Sequence, residues 1–188
     1  MPLFVWILIG VVCIIVIWFI TAYNSLVKLR VLVDEAFSGM DIFMKKRNDL
    51  IPNLVETVKG YMAHEAQTLD SVVAARHKVM STRSAEPIEN RIKCENELSG
   101  ALTRLMAVAE QYPDLKADSQ FTNLSGQLAA VETDISQARK YFNGSVRQYN
   151  TRIAVFPVSI AARIGSFTKK PFFELADAGE RDVPLVSF

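Results

Sequence analysis

The chain has 188 residues, half of them hydrophobic, and its 21 Lys and Arg stand against 20 Asp and Glu for a formal net charge of +1. So even a balance excludes a broad basic face for nucleic acid and a strong field for steering charged substrates. Two cysteines and two histidines are too few and too scattered for a disulfide framework or a zinc cluster, and no cofactor is expected.

The first element is the apolar run Leu3–Ala22, LFVWILIGVVCIIVIWFITA, which has no charged side chain. Twenty residues at about 1.5 Å rise cover about 30 Å, the thickness of a bilayer's hydrocarbon core. Trp18 and Tyr23 stand at the far end, where amphipathic aromatics favour the headgroup layer. The run is too long for the apolar core of a cleaved signal peptide, and no basic side chain precedes it. Val11 and Val12 are not the small residues a lipoprotein anchor at Cys13 would need. Residues 1–23 are therefore read as a retained single-pass transmembrane anchor, with the lipid bilayer as a partner. Lys28 and Arg30 follow the span at once, so the positive-inside rule places the body in the cytoplasm.

About 166 residues remain after the anchor, enough for one domain with a real core. From Asn24 the apolar residues recur at spacings of three and four: Leu26, Val33, Met40, Leu54 and Tyr61 form one class, and Phe37, Met44, Ile51 and Val58 the other. Both classes share one helix face, which predicts a long helix continuing directly from the anchor. Pro52 interrupts the stripe without shifting its register. With no glycine or polar loop around it, a kinked helix is expected rather than a hairpin, although Asp49 offers a cap for a fresh start. Arg47 occupies a stripe position that ordinarily holds an apolar residue. It reads as a snorkelling arginine with its head on a nearby carboxylate, or else as a partner contact beside Asp49, Pro52 and Asn53.

The helical pattern is expected to continue past Gly60 through Met62, Leu69, Val72 and Val73 to about Met80, with the glycine a soft spot. Ser81 to Glu86 reads as a polar turn, and Pro87 suits the first turn of a helix carrying Ile88, Ile92, Leu98, Leu102, Leu105 and Val108 inward. That helix ends near Tyr112-Pro113. Asp114 or Asp118 then caps the last long helix, roughly 119–155. Its stripe is the cleanest in the chain, with Phe121, Leu128, Ile135, Phe142, Tyr149 and Phe156 every seven residues. Pro157 stops it. Ile160, Ile164 and Phe167 suggest one short helix, followed by a tail with Phe172, Phe173, Leu185, Val186 and Phe188. A tail so rich in large apolar residues is unlike a disordered one and is expected to pack on a neighbouring copy.

Several of these stretches resemble the LemA family of bacterial membrane proteins. They are Tyr23-Asn24-Ser25-Leu26-Val27, Val33-Asp34-Glu35-Ala36-Phe37 and, above all, the run Asp49–Tyr61, DLIPNLVETVKGY. Ala74-Ala75-Arg76, Tyr112–Ala117, Ala138–Asn143, Tyr149-Asn150-Thr151, Phe156-Pro157 and Pro184–Phe188 continue the likeness over essentially the whole chain. Phe37, where the family usually has Trp, and Gly144, where it usually has Asp or Glu, depart from it. The resemblance implies an N-terminal anchor and an antiparallel helical bundle, and it implies no established activity.

The fold expected is all-α: a transmembrane helix (1–23) continuing into an antiparallel bundle of about four long helices (24–157), then a short helix and tail (158–188). No nucleophile elbow, phosphate loop or metal-ligand spacing occurs, so no catalysis is expected. The expected role is a self-associating scaffold or assembly protein of the bacterial inner membrane. Its partners are further copies and a membrane protease or envelope protein, without nucleic acid. The alternative is a sensor that transmits motion through the kink at Pro52.

Overall fold

The computed structural model describes residues 2–62, 64–82 and 87–174. Among these it contains six α-helices and no strand: α1 (Pro2–Lys59), α2 (Ala66–Thr82), α3 (Ile88–Ala109), α4 (Pro113–Ala117), α5 (Ser119–Ala154) and α6 (Val158–Ile164). Two compact units are distinguishable among the described residues, one of 2–40 with Ala138–Phe172, the other of Asp41–Gln137 with 173–174.

In the first unit, α1 begins with the apolar run, whose side chains from Leu3 to Ile17 are all exposed. Burial starts at Ala22 and Leu26 and continues through Val33, Ala36, Phe37 and Met40, so the packed face starts where the span ends, within one unbroken helix. The matching face of α5 is Phe142, Val146, Tyr149 and Ile153, all buried. Phe142 meets Phe37 edge-on, ring centroids 5.5 Å apart, a favoured aromatic geometry. The segment after α6 is tied to α5. The Tyr149 hydroxyl donates to the Thr168 carbonyl at 2.9 Å, and the Asn150 amide both donates to the Lys170 carbonyl at 2.8 Å and accepts from the Lys170 N–H at 2.9 Å. Lys170 also pairs with Asp34 of α1 at 3.1 Å.

The second unit is built from the rest of α1, then α2, α3, α4 and the first half of α5. Its core joins Ile51, Leu54 and Val58 of α1 to Val72, to Leu98, Leu102 and Leu105 of α3, and to Phe121 and Leu128 of α5. Helix α1 does not continue past Gly60 as the pattern predicts. It stops at Lys59, and the Tyr61 and Met62 N–H groups both donate to the Val58 carbonyl at 3.0 Å. Glycine just beyond a helix end is the usual terminator, and the fully buried Met62 pins the reversal. Helix α2 therefore runs back along α1 and brings Arg76 to Asn48.

Helix α3 runs parallel to α1, as its Arg91 pairs with Asp41 at 2.6 Å and its Glu95 and Ser99 meet Arg47. Pro113 opens α4 at its first turn, and Leu115 is buried beneath it. Of the two candidate caps for α5 it is Asp118 that serves. Its carboxylate accepts from the Phe121 N–H at 2.8 Å and from the Tyr61 hydroxyl at 3.0 Å. The Phe121 bond, with the Tyr61 bond behind it, holds the Asp118 carboxyl below its usual range.

The end of α5 departs from its stripe. Phe156 stands in register with the buried stripe of α5 but lies beyond its end and is exposed. The expected short helix is present as α6; its buried face is Val158, Ala161 and Ala162, while Ile160 and Ile164 face outward. Of the polar turn 81–86, Ser81 and Thr82 belong to α2, and the remainder lies outside the described residues.

Candidate functional site

Arg47 sits where the repeat of α1 calls for an apolar side chain, and the helix carries it into the interior, where it is 1 % exposed. A guanidinium cannot shed its charge, so burial demands acceptors. Three are supplied. One terminal nitrogen donates to the Ser99 hydroxyl at 2.7 Å and to Glu132 at 2.8 Å, and the other pairs closely with Glu95. Glu95 is itself buried, Glu132 is half-exposed at the edge, and Nε of Arg47 has no hydrogen-bonding partner. Burial pushes the Glu95 carboxyl above its ordinary range; the Arg47 charge and hydrogen bond oppose that rise without cancelling it. The cluster links α1, α3 and α5 at one level of the second unit.

Arg47 has the carboxylate partner expected of it, but its head is buried instead of snorkelling to the surface. Its head turns inward because carboxylates arrive from two other helices, not from its own surface. Glu95 and Glu132 escaped the sequence reading. Glu95 stands three residues after Ile92 and three before Leu98, a charge inside the apolar stripe of α3. Two opposite charges in the core stripes of two helices were the available signal.

One turn further along α1, Pro52 lies exposed inside an unbroken helix, so no fresh start forms at Asp49, which is exposed as well. A proline has no N–H, and the carbonyl four residues earlier loses its helical donor. That carbonyl belongs to Asn48, and Arg76 Nε of α2 donates to it at 2.9 Å. The Asn48 side chain is buried beside it. Asn53 is exposed, and its carbonyl accepts from the Thr57 hydroxyl at 2.8 Å. Arg47 and Pro52 thus belong to one stretch of helix crosslinked to α2, α3 and α5, while Asp49 and Asn53 face solvent.

The tail residues separate. Phe172 is exposed, whereas Phe173 is 2 % exposed and so is already covered by its own chain, not left free for a neighbouring copy. Asn96 of α3 holds this segment by donating to the Glu174 carbonyl at 2.8 Å. Leu185, Val186 and Phe188 lie outside the described residues. Beside Asn96, an open groove of about 1010 Å³ runs between α2 and α3, lined by Ala74, Ala75, Gly100 and the Lys78–Glu97 pair.

A bundle of antiparallel helices, internally crosslinked by a buried arginine and headed by one helix long and apolar enough to cross a membrane, defines the class. The chain belongs to the LemA family, whose sequence model matches residues 36–188. It is similar to magnetosome protein MamQ of Magnetospirillum gryphiswaldense, 23 % identical with 88 % of this chain and 68 % of that protein covered. Magnetosome protein MamQ 2 of Paramagnetospirillum magneticum is 22 % identical over the same shares. Protein LemA of Metamycoplasma hominis is 23 % identical, covering 85 % of this chain and 72 % of its own.

Proposed function

We propose that this protein is a scaffold anchored in the bacterial inner membrane by a single helix, with its bundle in the cytoplasm. It self-associates and positions membrane or envelope partners without chemistry of its own. The observation that carries this reading is α1 itself, in which an apolar span exposed from Leu3 to Ile17 passes without a break into the packed face that starts at Ala22 and Leu26. A span exposed all round suits lipid, and an unbroken junction suits a part that holds others in place. Lys28 and Arg30 at the exit favour the cytoplasmic side.

The sensor alternative asks Pro52 to flex. The Asn48 carbonyl that the proline releases is already taken by Arg76, which favours a fixed rod over a hinge.

Extraction in mild detergent followed by mass measurement of the particle tests the proposal. A large symmetric particle is expected. A monomer or dimer would refute the assembly role and turn attention to the sensor.

A further inference from the structure

Helix α6 is apolar on two opposite faces. Val158, Ala161 and Ala162 are buried against the chain, while Ile160 and Ile164 are 47 % and 67 % exposed. Ile160 and Ile164, four residues apart, lie one above the other on the outer face of α6, and Phe156, just ahead of the helix, is 76 % exposed as well. Val155, in the same turn as Phe156, is exposed too. A helix apolar on both sides calls for two partners, and the chain supplies one.

The position of α6 identifies the other. Phe167, three residues past the helix, sets its ring edge-on to Tyr23 at 5.4 Å, and a Cβ on Gly165 would come within 3.0 Å of the Tyr23 ring. Tyr23 is the residue after the apolar span Leu3–Ala22. In the same unit α5 runs antiparallel to α1, with Phe142 against Phe37 and Tyr149 near Arg30, so its end also arrives at the exit of the span. The exposed pair Ile160–Ile164, with Phe156 at the turn before it, therefore lies at the depth where a bilayer crossed by α1 has its surface.

Charge supports the same partner. Residues 138–172 hold seven cations, Arg139, Lys140, Arg147, Arg152, Arg163, Lys169 and Lys170, and no Asp or Glu. Arg152, Arg163 and Lys169, flanking these side chains, are themselves exposed. Large exposed apolar side chains with cations around them are the composition of a helix that lies in the interface of an anionic membrane.

We infer that α6 is a second membrane contact, with Phe156, Ile160 and Ile164 seated in the headgroup and upper acyl layer of the anionic bilayer that α1 crosses. The inference rests on the reading of α1 as the anchor.

The test uses the full chain in vesicles of equal parts phosphatidylcholine and phosphatidylglycerol. An environment-sensitive fluorophore is attached at Ile164→Cys in a Cys13→Ser, Cys94→Ala background. Nitroxide lipids probe depth and aqueous iodide probes exposure. The natural Cys13, labelled alone in Cys94→Ala protein, reports the anchor, and a label at Tyr141→Cys on an exposed site of the same unit reports solvent. The Ile164 label is expected to be quenched several-fold more by a nitroxide near the headgroup than by one deep in the acyl chain, and to escape iodide. The Cys13 label should show the reverse depth order. Iodide quenching at Ile164 equal to that at Tyr141 would overturn the contact while leaving the anchor standing. Protection from both iodide and lipid nitroxides would overturn it in favour of a second copy on this face. A Cys13 label that no deep nitroxide reaches would overturn the anchor, and the contact with it.

Discussion

Replacing Arg47 with Met keeps most of the side-chain volume and removes the charge that holds Glu95, Glu132 and Ser99. Glu132 is half-exposed and can turn to water, but Glu95 is buried and stays behind as a lone carboxylate. Breaking a buried pair in this way costs about 3–5 kcal/mol. For a chain of this size each kcal/mol lowers Tm by about 2–4 °C, so a fall of about 6–20 °C is expected.

The pH dependence separates this account from simple loss of packing. Burial already raises the Glu95 carboxyl, so the folded state holds that proton more tightly than the unfolded one. Its contribution to stability is therefore largest below the unfolded pKa and declines as pH rises through the raised folded value. Without Arg47 the rise is unopposed, and the deficit of the Arg47→Met protein should shrink as the pH is lowered toward that range. Adding Glu95→Leu should return most of the loss, since an apolar pair of similar volume replaces a buried ion pair at little cost. Circular-dichroism melts in detergent at neutral and acid pH give all three readings. A single variant melting within error of the parent, or a double variant no better than the single, would refute the reasoning.

The Phe142 ring is wholly buried against Phe37, so Phe142→Ala should lose about 3–5 kcal/mol, read as a lower denaturation midpoint at unchanged slope. Pro52→Ala returns an N–H to the Asn48 carbonyl and competes with Arg76 for it; stability should hold or rise, while hydrogen exchange at Arg76 Nε speeds up. Unchanged exchange there would mean that the guanidinium bond does not depend on the proline. Protease added outside intact spheroplasts should leave the bundle whole, as the Lys28 and Arg30 asymmetry predicts, and rapid digestion would reverse the orientation.

Much of the fold was legible because burial on a long helix writes itself as a repeat. Leu26, Val33, Phe37, Met40, Met44, Ile51, Leu54 and Val58 are buried as the stripe of α1 requires, though Tyr61, its last member, lies beyond the helix and is exposed; Phe121, Leu128, Ile135, Phe142 and Tyr149 of α5 are buried too. The reversal after Lys59 was hidden because Met62, which anchors the turn, keeps the apolar pattern going past the one glycine. Phe156 illustrates a different limit. Its register survives the end of the helix, yet the direction of its side chain does not. The partners of Arg47 and the donor for Asn48 come from other helices, and no periodicity within one helix reveals which neighbour will supply them. Phe173 is similar: its apolar character was plain, but the covering surface belongs to its own chain.

The bond between Arg76 and the Asn48 carbonyl has a consequence for how such a contact is written into a gene. The acceptor is backbone, so any residue at position 48 would offer it. The proline four positions later keeps it open, and the arginine one helix away fills it. The contact is thus spelled by positions 52 and 76 together, and neither letter has the same meaning alone. An arginine at 76 facing an ordinary helix would find that carbonyl occupied, and a proline at 52 without the arginine would leave it without this donor. Across related chains these two positions should change as a pair, while the position that supplies the atom drifts independently of them.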